Sequence, residues 1–388
     1  MTFSSVAEAR RRARRVLPKV VFDYVDGAAD DERTMAANES AFHEVTFRPR
    51  VGTGVQVPAL ATEVLGTTLD LPVVLAPCGL VRLLHPDGAV GVARAAAAAG
   101  TVSVLSTVAG SPVEDVAPAA SGTVWFQLYA RGRAEAEALV ARAAAAGCPV
   151  LVVTLDTPVL GNRERDVRNR VVPPLRLVGS AVHLGPQVLR RPRWSLRLAR
   201  TGVRMLRQPR HQGTSAPPAP TASAVAMAAS PFTWEDVAWL RSVWRGPLVV
   251  KGLLTGDDAR RAADAGAEGV VVSNHGGRQL DRAPAALRAL PEVAAAVGDR
   301  LEVLVDGGVR RGSDVATALA LGARAVLVGR PYLYGLAVGG EPGVARVLEI
   351  LRGELARTLA LLGCPDVRQL DASWVIPTPV PPSAGPRP

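Results

Sequence analysis

Eight short apolar or β-branched runs recur along the chain, and an alanine-rich segment lies between most of them. The runs are LPVVLAP from Leu71, TVSVLS from Thr101, TVWFQLY from Thr123, CPVLVVTLD from Cys148, GPLVVKG from Gly246, GVVVSNHGG from Gly269, LEVLVDGG from Leu301 and RAVLVGR from Arg324. They are apolar throughout rather than alternating, as expected of strands covered on both faces in a parallel sheet. Intervening segments such as GAVGVARAAAAAG, RAEAEALVARAAAAG and SDVATALALGA have helical composition, and many close with glycine at a helix C-cap position. Eight strand–helix units over some 260 residues predict an α/β fold, a (β/α)8 TIM barrel.

One spacing breaks the rhythm. Nearly a hundred residues separate the fourth run from the fifth, so a long loop, at about 172–230, is expected after strand 4. Upstream of the barrel, SSVAEARRRARRVLPKVVFDYVDGAADDERTMAANESAFHEV reads as N-terminal helices and TEVLGTTLDL as a hairpin. Residues 1–375 are therefore expected to form one barrel domain, with a partly flexible basic insertion and a Pro-rich tail at 376–388.

The net charge of +10 is concentrated in that insertion. Between Val167 and Trp234 there are eleven arginines and no Asp or Glu, which leaves the remainder close to neutral. Arg193, Arg197, Arg200, Arg204 and Arg207 fall at helical spacing beside Trp194, Leu196, Leu198, Val203 and Leu206. Such a helix suits an anionic membrane surface or an acidic partner, and equally a solvated insertion; a charge this localised argues against nucleic acid as the partner. The Arg10 to Arg15 cluster is followed at once by acidic residues, against a mitochondrial presequence. With no apolar stretch of membrane-spanning length and no signal-peptide core, a cytoplasmic protein is expected, peripheral on the membrane if the insertion docks there. Three widely spaced cysteines, Cys78, Cys148 and Cys364, argue against a disulfide framework or a zinc site.

Barrel enzymes carry their chemistry at the C-terminal ends of the strands, so those ends form a set of candidates. They read Ala76, Pro77, Cys78 and Gly79; Ser106; Gln127 and Tyr129; Thr154 and Asp156; Lys251; Ser273, Asn274 and His275; Asp306, Gly307 and Gly308; Gly329 and Arg330. Lys251 is one of only two lysines among forty-five cations, in a chain that otherwise writes its cations as arginine. DGGVRRGSDV and VGRPYL, after the last two strands, combine glycines with arginines where barrels bind phosphate. A phosphorylated cofactor or substrate is implied.

SNHGGRQLD, together with LDTPVLGNRERDVRN, FQLYA, VVKG, DGGVRRGSDV and VGRPYLYGLA, resembles the FMN-dependent 2-hydroxy acid oxidase and dehydrogenase family, from about Val6 to about Val375 outside the insertion. That family includes glycolate oxidase, lactate oxidase, lactate monooxygenase and mandelate dehydrogenase. The resemblance implies FMN as cofactor, with its phosphate at Asp306, Gly308, Arg310, Gly329 and Arg330. Its ring would lie near Ala76, Pro77, Cys78, Ser106, Gln127, Thr154, Lys251 and Ser273, with Lys251 as the cation that stabilises charge on the reduced ring. A small-molecule 2-hydroxy acid would be held by Arg278, Arg163 and Tyr24, and His275 would take its proton. Asp156 would orient His275, and Tyr129 would hydrogen-bond substrate or base. A homo-oligomer, a tetramer by analogy, is also expected.

Two departures from the family pattern bear on specificity. Family members commonly read Pro-Thr-Ala where this chain reads Pro77-Cys78-Gly79, and small-acid oxidases often place tryptophan where it has Val108. More space near the flavin and a pocket wider than glycolate or lactate requires are expected. The competing readings are a flavin oxidase acting on a modified peptide or other non-acid substrate in cofactor biosynthesis, a lyase using Lys251 as a Schiff-base amine, and a binding protein acting through the insertion.

Overall fold

The computed structural model describes residues 3–169, 185–207 and 231–377. The stretch GTSAPPAPTASAVAMAAS at 213–230, expected to be a flexible loop, and the tail beyond Pro377 lie outside them, as do the side chains of Arg200, Arg204 and Arg207. In chain order the strands are β1 (Val45–Phe47), β2 (Thr62–Val64), β3 (Thr67–Leu69), β4 (Val73–Leu75), β5 (Ser103–Ser106), β6 (Val124–Leu128), β7 (Leu151–Thr154), β8 (Leu248–Leu253), β9 (Gly269–Val272), β10 (Glu302–Asp306), β11 (Ala325–Val328) and β12 (Val375–Pro377). Strands β4 to β11 close a parallel barrel in sequence order, β11 pairing back onto β4. These are the eight predicted runs.

Because side chains alternate across a strand, each run carries two sets of residues. Val73 and Leu75 of β4, Leu105 of β5 and Leu151 and Val153 of β7 face the surrounding helices. Val74, Ala76, Val102, Val104, Trp125, Val150, Val152, Val249, Val271, Leu304, Ala325 and Leu327 form a separate apolar cluster within the barrel. The β2–β3 hairpin supplies Val64, Leu65 and Leu69 to that cluster and so closes its N-terminal end. Burying Leu69 and Val64 fully is worth roughly 1.5–3 kcal/mol each.

Followed two residues at a time toward the C-terminal end, the inward set changes character. It continues as Cys78, Ser106, Gln127 and Tyr129, Thr154 and Asp156, Lys251, Ser273 and His275, Asp306, and Gly329. One parity thus builds both an apolar floor and a polar mouth.

Helices Val6–Val16, Lys19–Asp26 and Arg33–Ser40 precede the barrel as expected. One feature differs from expectation. Ile376 and Pro377, expected in the tail, pair with Thr46 and Val45, because β12 covers the edge of β1. The C-terminal helix Arg330–Leu362 breaks at Gly339 and Gly340, whose backbone is non-helical.

Part of the insertion is ordered against the body. Helix Pro192–Arg207 has Trp194 buried, its indole donating to Leu83 O at 2.8 Å, and Leu198 packed beside it. Trp194 therefore anchors the helix to the loop after β4, a correction to its placement on a free interfacial face.

Candidate active site

A cleft of about 1020 Å³ opens at the C-terminal end of the barrel, lined by Tyr24, Ala76, Cys78, Val108, Tyr129, Arg163, Lys251, His275, Arg278, Asp306, Arg310 and Arg330 among others. Residues at or just beyond the ends of all eight barrel strands, and Tyr24 and Val25 of helix Lys19–Asp26, meet there.

His275 Nδ1 lies 3.0 and 3.2 Å from the two carboxylate oxygens of Asp156. Burial pushes the imidazole below its usual range, outweighing the pull of Asp156 in the other direction. Burial also pushes the Asp156 carboxyl up, but His275 and Lys251 overcome it and hold the group ionised. A carboxylate on Nδ1–H leaves Nε2 as the free lone pair, the state a base needs. His275 itself has φ +59, followed by Gly276 at +64 and Gly277 at +77. A histidine held in this left-handed region stores backbone strain, which is commonest at functional sites.

The rest of SNHGGRQLD fixes this turn. Lys251 donates to Ser273 Oγ at 2.8 Å, and Asn274 exchanges hydrogen bonds with Asn38 at 2.8 Å while its Oδ1 accepts from Gly277 N. Gln279 donates to Asp156 O and Val159 O, both at 2.8 Å, and Asp281 accepts from Thr34 N. A Cβ on Gly276 would meet Arg330 Nη1 at 2.9 Å, and one on Gly277 would meet Met35 N at 2.6 Å. These glycines admit Arg330 and the N-terminal helix rather than sparing room in the cleft.

Lys251 Nζ is 2.8 Å from Asp306 Oδ2. Burial lowers the amine, but Asp306 and Asp156 outweigh it and hold the group charged. A charged ammonium is no nucleophile, which disfavours the Schiff-base lyase. Burial and the nearby Arg278 bring Arg163 down to about 10; burial, with Arg278 and Arg310 adding to it, brings Arg330 to about 10 as well. Arg278 donates to Tyr24 O (2.6 Å) and Gly27 O, and Arg330 to Val25 O, Gly276 O and Gly27 O. Neutral carbonyls satisfy these guanidiniums without cancelling their charge. Among the described residues, Arg163, Arg278 and Arg330 have no ion-pair partner, so the cleft suits anions.

Other candidates stand differently. Gln127, Thr154 and Ser273, expected at the cofactor face, are buried below the cleft. They reach it through hydrogen bonds: Ser106 donates to Gln127 at 2.6 Å, Gln127 to Thr154 at 3.1 Å, and Lys251 to Ser273. Arg310 turns to Glu39 at 2.7 Å. Tyr24 donates to Gly79 O at 3.3 Å. Burial raises the phenols of Tyr24 and Tyr129, leaving both protonated as donors, and raises the Cys78 thiol. Gly79 opens no free space: a Cβ there would stand 3.1 Å from both Tyr24 OH and Val108 Cγ2. Gly307 and Gly308 have φ of +93 and +91, but a Cβ on Gly308 would fall 2.0 Å from Asn38 O, so helix packing excludes it. Of the cradle glycines Gly307, Gly308, Gly312 and Gly329, only Gly329 has room for a Cβ, which would make ordinary contact with Cys78 Sγ at 3.5 Å and Ala76 Cβ at 3.9 Å. Thr157 was not foreseen. Its Oγ1 is buried at the cleft without a partner, as is Asp306 Oδ1.

The cleft thus offers uncompensated guanidiniums at a glycine-bearing end, a buried ammonium beside an orphan carboxylate oxygen, and an imidazole held as a base. These fit a flavin nucleotide, with its anionic tail, polar chain and a ring that becomes negative on reduction. Residues 13–377 match the model of the FMN-dependent dehydrogenase family, and the chain belongs to it, with FMN as cofactor. Among its relatives are the pre-mycofactocin synthase of Mycobacterium tuberculosis, 45% identical over 97% of this chain and 95% of that protein, and the L-lactate oxidase of a Nostoc species, 43% identical over 95% and 96%. The crystal structure of the monotopic membrane protein (S)-mandelate dehydrogenase is similar with a TM-score of 0.89 and 39% identity, covering 97% of this chain and all of the other.

Proposed function

We propose that the protein oxidises a 2-hydroxy acid, larger than glycolate or lactate, to the 2-oxo acid. The observation that carries this reading is the His275–Asp156 pair beside Arg163 and Arg278 in one cleft. The guanidiniums of Arg278 and Arg163 bind the substrate carboxylate, with the Tyr24 hydroxyl as a further donor. Nε2 of His275 takes a proton from the substrate, and Asp156 stabilises the resulting imidazolium. Tyr129 donates a hydrogen bond to the substrate oxygen. FMN supplies the two-electron acceptor when bound. Ala76, Pro77, Cys78, Ser106 and Lys251 would hold its ring end, and Asp306, Gly308, Gly329, Arg310 and Arg330 its chain and phosphate. The Lys251 ammonium stabilises negative charge at that end of the cleft.

Val108 supports a substrate with a bulky side chain, since a valine lines the cleft where small-acid oxidases often carry tryptophan. Turnover of a panel from glycolate to aryl-substituted 2-hydroxy acids tests this, the bulky acids being preferred. One observation favours a second reading, an oxidase acting on a modified peptide or other non-acid substrate. Identity to the pre-mycofactocin synthase is as high as to the lactate oxidase. Flavin that stays oxidised with every acid would select it.

Peripheral attachment to an anionic membrane is part of the same proposal. Trp194 docks helix Pro192–Arg207, leaving Leu189 80% and Leu196 53% exposed near the exposed Arg190 and Arg193. Exposed leucines among arginines suit an interfacial segment. No described helix is long and apolar enough to cross a membrane. Co-flotation with anionic but not neutral vesicles, lost in Arg190→Glu/Arg193→Glu, tests it.

A further inference from the structure

The segment Phe22 to Glu32 carries five acidic residues around Tyr24, and the loop Gly161 to Asn169 carries Arg163. The two are fastened side by side. Asn162 Nδ2 donates to Asp30 at 2.8 Å, Arg165 pairs with both Asp26 (3.0 Å) and Glu32, and Asn169 Nδ2 donates to Asp23 at 2.7 Å. Tyr24 and Arg163 lie on the cleft side of this seam.

Asp26 is its centre. Only 2% exposed, its carboxylate accepts two bonds from Arg10, at 2.5 and 2.8 Å, one from Arg165, and one from the Tyr334 hydroxyl at 2.8 Å. Arg165 is two residues from Arg163, and Tyr334 is one helical turn from Arg330. The backbone on either side of Asp26 does a second task. The carbonyls of Tyr24 and Gly27 receive Arg278, and those of Val25 and Gly27 receive Arg330. Three guanidiniums without carboxylate partners repel one another, and would separate unless their acceptors were held still. The Asp26 knot holds those acceptors.

We infer that Asp26 is a positioning residue: by binding Arg10, Arg165 and Tyr334 it fixes the Tyr24–Gly27 carbonyls that aim Arg278 at the substrate carboxylate. The inference rests on the proposed role of Arg278. A displaced guanidinium loses its two-pronged fit, so carboxylate binding falls while proton transfer at His275 is spared.

The test uses FMN-loaded protein and oxalate, a planar dicarboxylate whose binding is read from the flavin absorption spectrum. In Asp26→Asn the oxalate Kd is expected to rise about tenfold, with KM for the acid substrate rising and kcat changing less than about threefold. In an Arg278→Lys background the same substitution is expected to add almost nothing, because its effect passes through Arg278. A purely structural role would instead give the same change in both backgrounds, and this additivity would overturn the inference, as would wild-type oxalate affinity in Asp26→Asn. Should that variant fail to fold, Tyr334→Phe removes a single bond to Asp26 and is expected to weaken oxalate about threefold in wild type but not in Arg278→Lys; no change in either overturns the inference. Failure of wild-type protein to bind oxalate at all would refute the carboxylate site itself, a separate outcome.

Discussion

Replacing Asp156 with asparagine probes the proposed chemistry most sharply. The carboxylate stands 3.0 Å from His275 Nδ1, and both side chains are largely shielded from water, at 12% and 20% exposed. At an effective dielectric of about 20, a full charge at that distance is worth roughly 5 kcal/mol to an imidazolium. Asparagine keeps a hydrogen-bond acceptor but not the charge, so about 3–5 kcal/mol of transition-state stabilisation should go, a fall of roughly 10²–10⁴ in kcat. The pH profile adds a sign. Burial holds His275 below its ordinary value and Asp156 is what opposes that. Removing the carboxylate should therefore lower the histidine further and move the acid limb of kcat/KM to lower pH, even as the rate falls. Anaerobic stopped-flow measurement of flavin bleaching across pH 4–9 reads both quantities. A variant with more than a third of the wild-type rate, or an acid limb displaced upward, would refute the reasoning.

Four further outcomes are expected. Lys251→Met strands the buried Asp306 and should cost about 3–5 kcal/mol, much of it recovered in Lys251→Met/Asp306→Asn; thermal melts of the flavin-free proteins check this. Gly308→Ala drives a methyl into Asn38 O at a positive φ and should destabilise by about 2–4 kcal/mol, whereas Gly329→Ala should fold normally and lose FMN affinity, measured by flavin fluorescence. The Asp26 carboxyl is held down at about 2, chiefly by Arg10 against the opposing effect of burial. Its contribution is thus complete above the unfolded value near 4 and lost as pH falls toward 2, so Asp26→Asn should flatten the acid unfolding curve in that window. Val108→Trp should fill the cleft wall and cut kcat/KM for aryl-substituted acids at least tenfold while sparing glycolate.

The barrel was legible because the strands announce themselves as apolar or β-branched runs and many of the helices between them end in glycine. The site was legible mainly through the density of SNHGGRQLD, although its letters divide the labour differently from the expectation. His275 and Arg278 face the cleft, while Asn274, Gln279 and Asp281 hold neighbouring segments in place. Strand parity, visible once the inward residues of one strand are known, would have sorted Gln127 and Thr154 beneath Tyr129 and Asp156. What stayed hidden were partnerships across long separations. Asp26 and Arg165 carry no local sign that, 139 positions apart, they meet at 3.0 Å. Gly79 misled for the same reason: the room its missing methyl vacates is taken by Val108 and Tyr24. Trp194 read as part of an amphipathic stripe, and its hydrogen bond to Leu83 had no signature in sequence.

Purified protein, made anaerobic and mixed with a series of 2-hydroxy acids, settles the matter most directly. Loss of the yellow flavin band with a bulky acid, and its persistence in His275→Ala under the same conditions, is the expected result. A protein that takes up no FMN, or one whose bound flavin keeps its colour with every acid, would contradict the reading of this cleft.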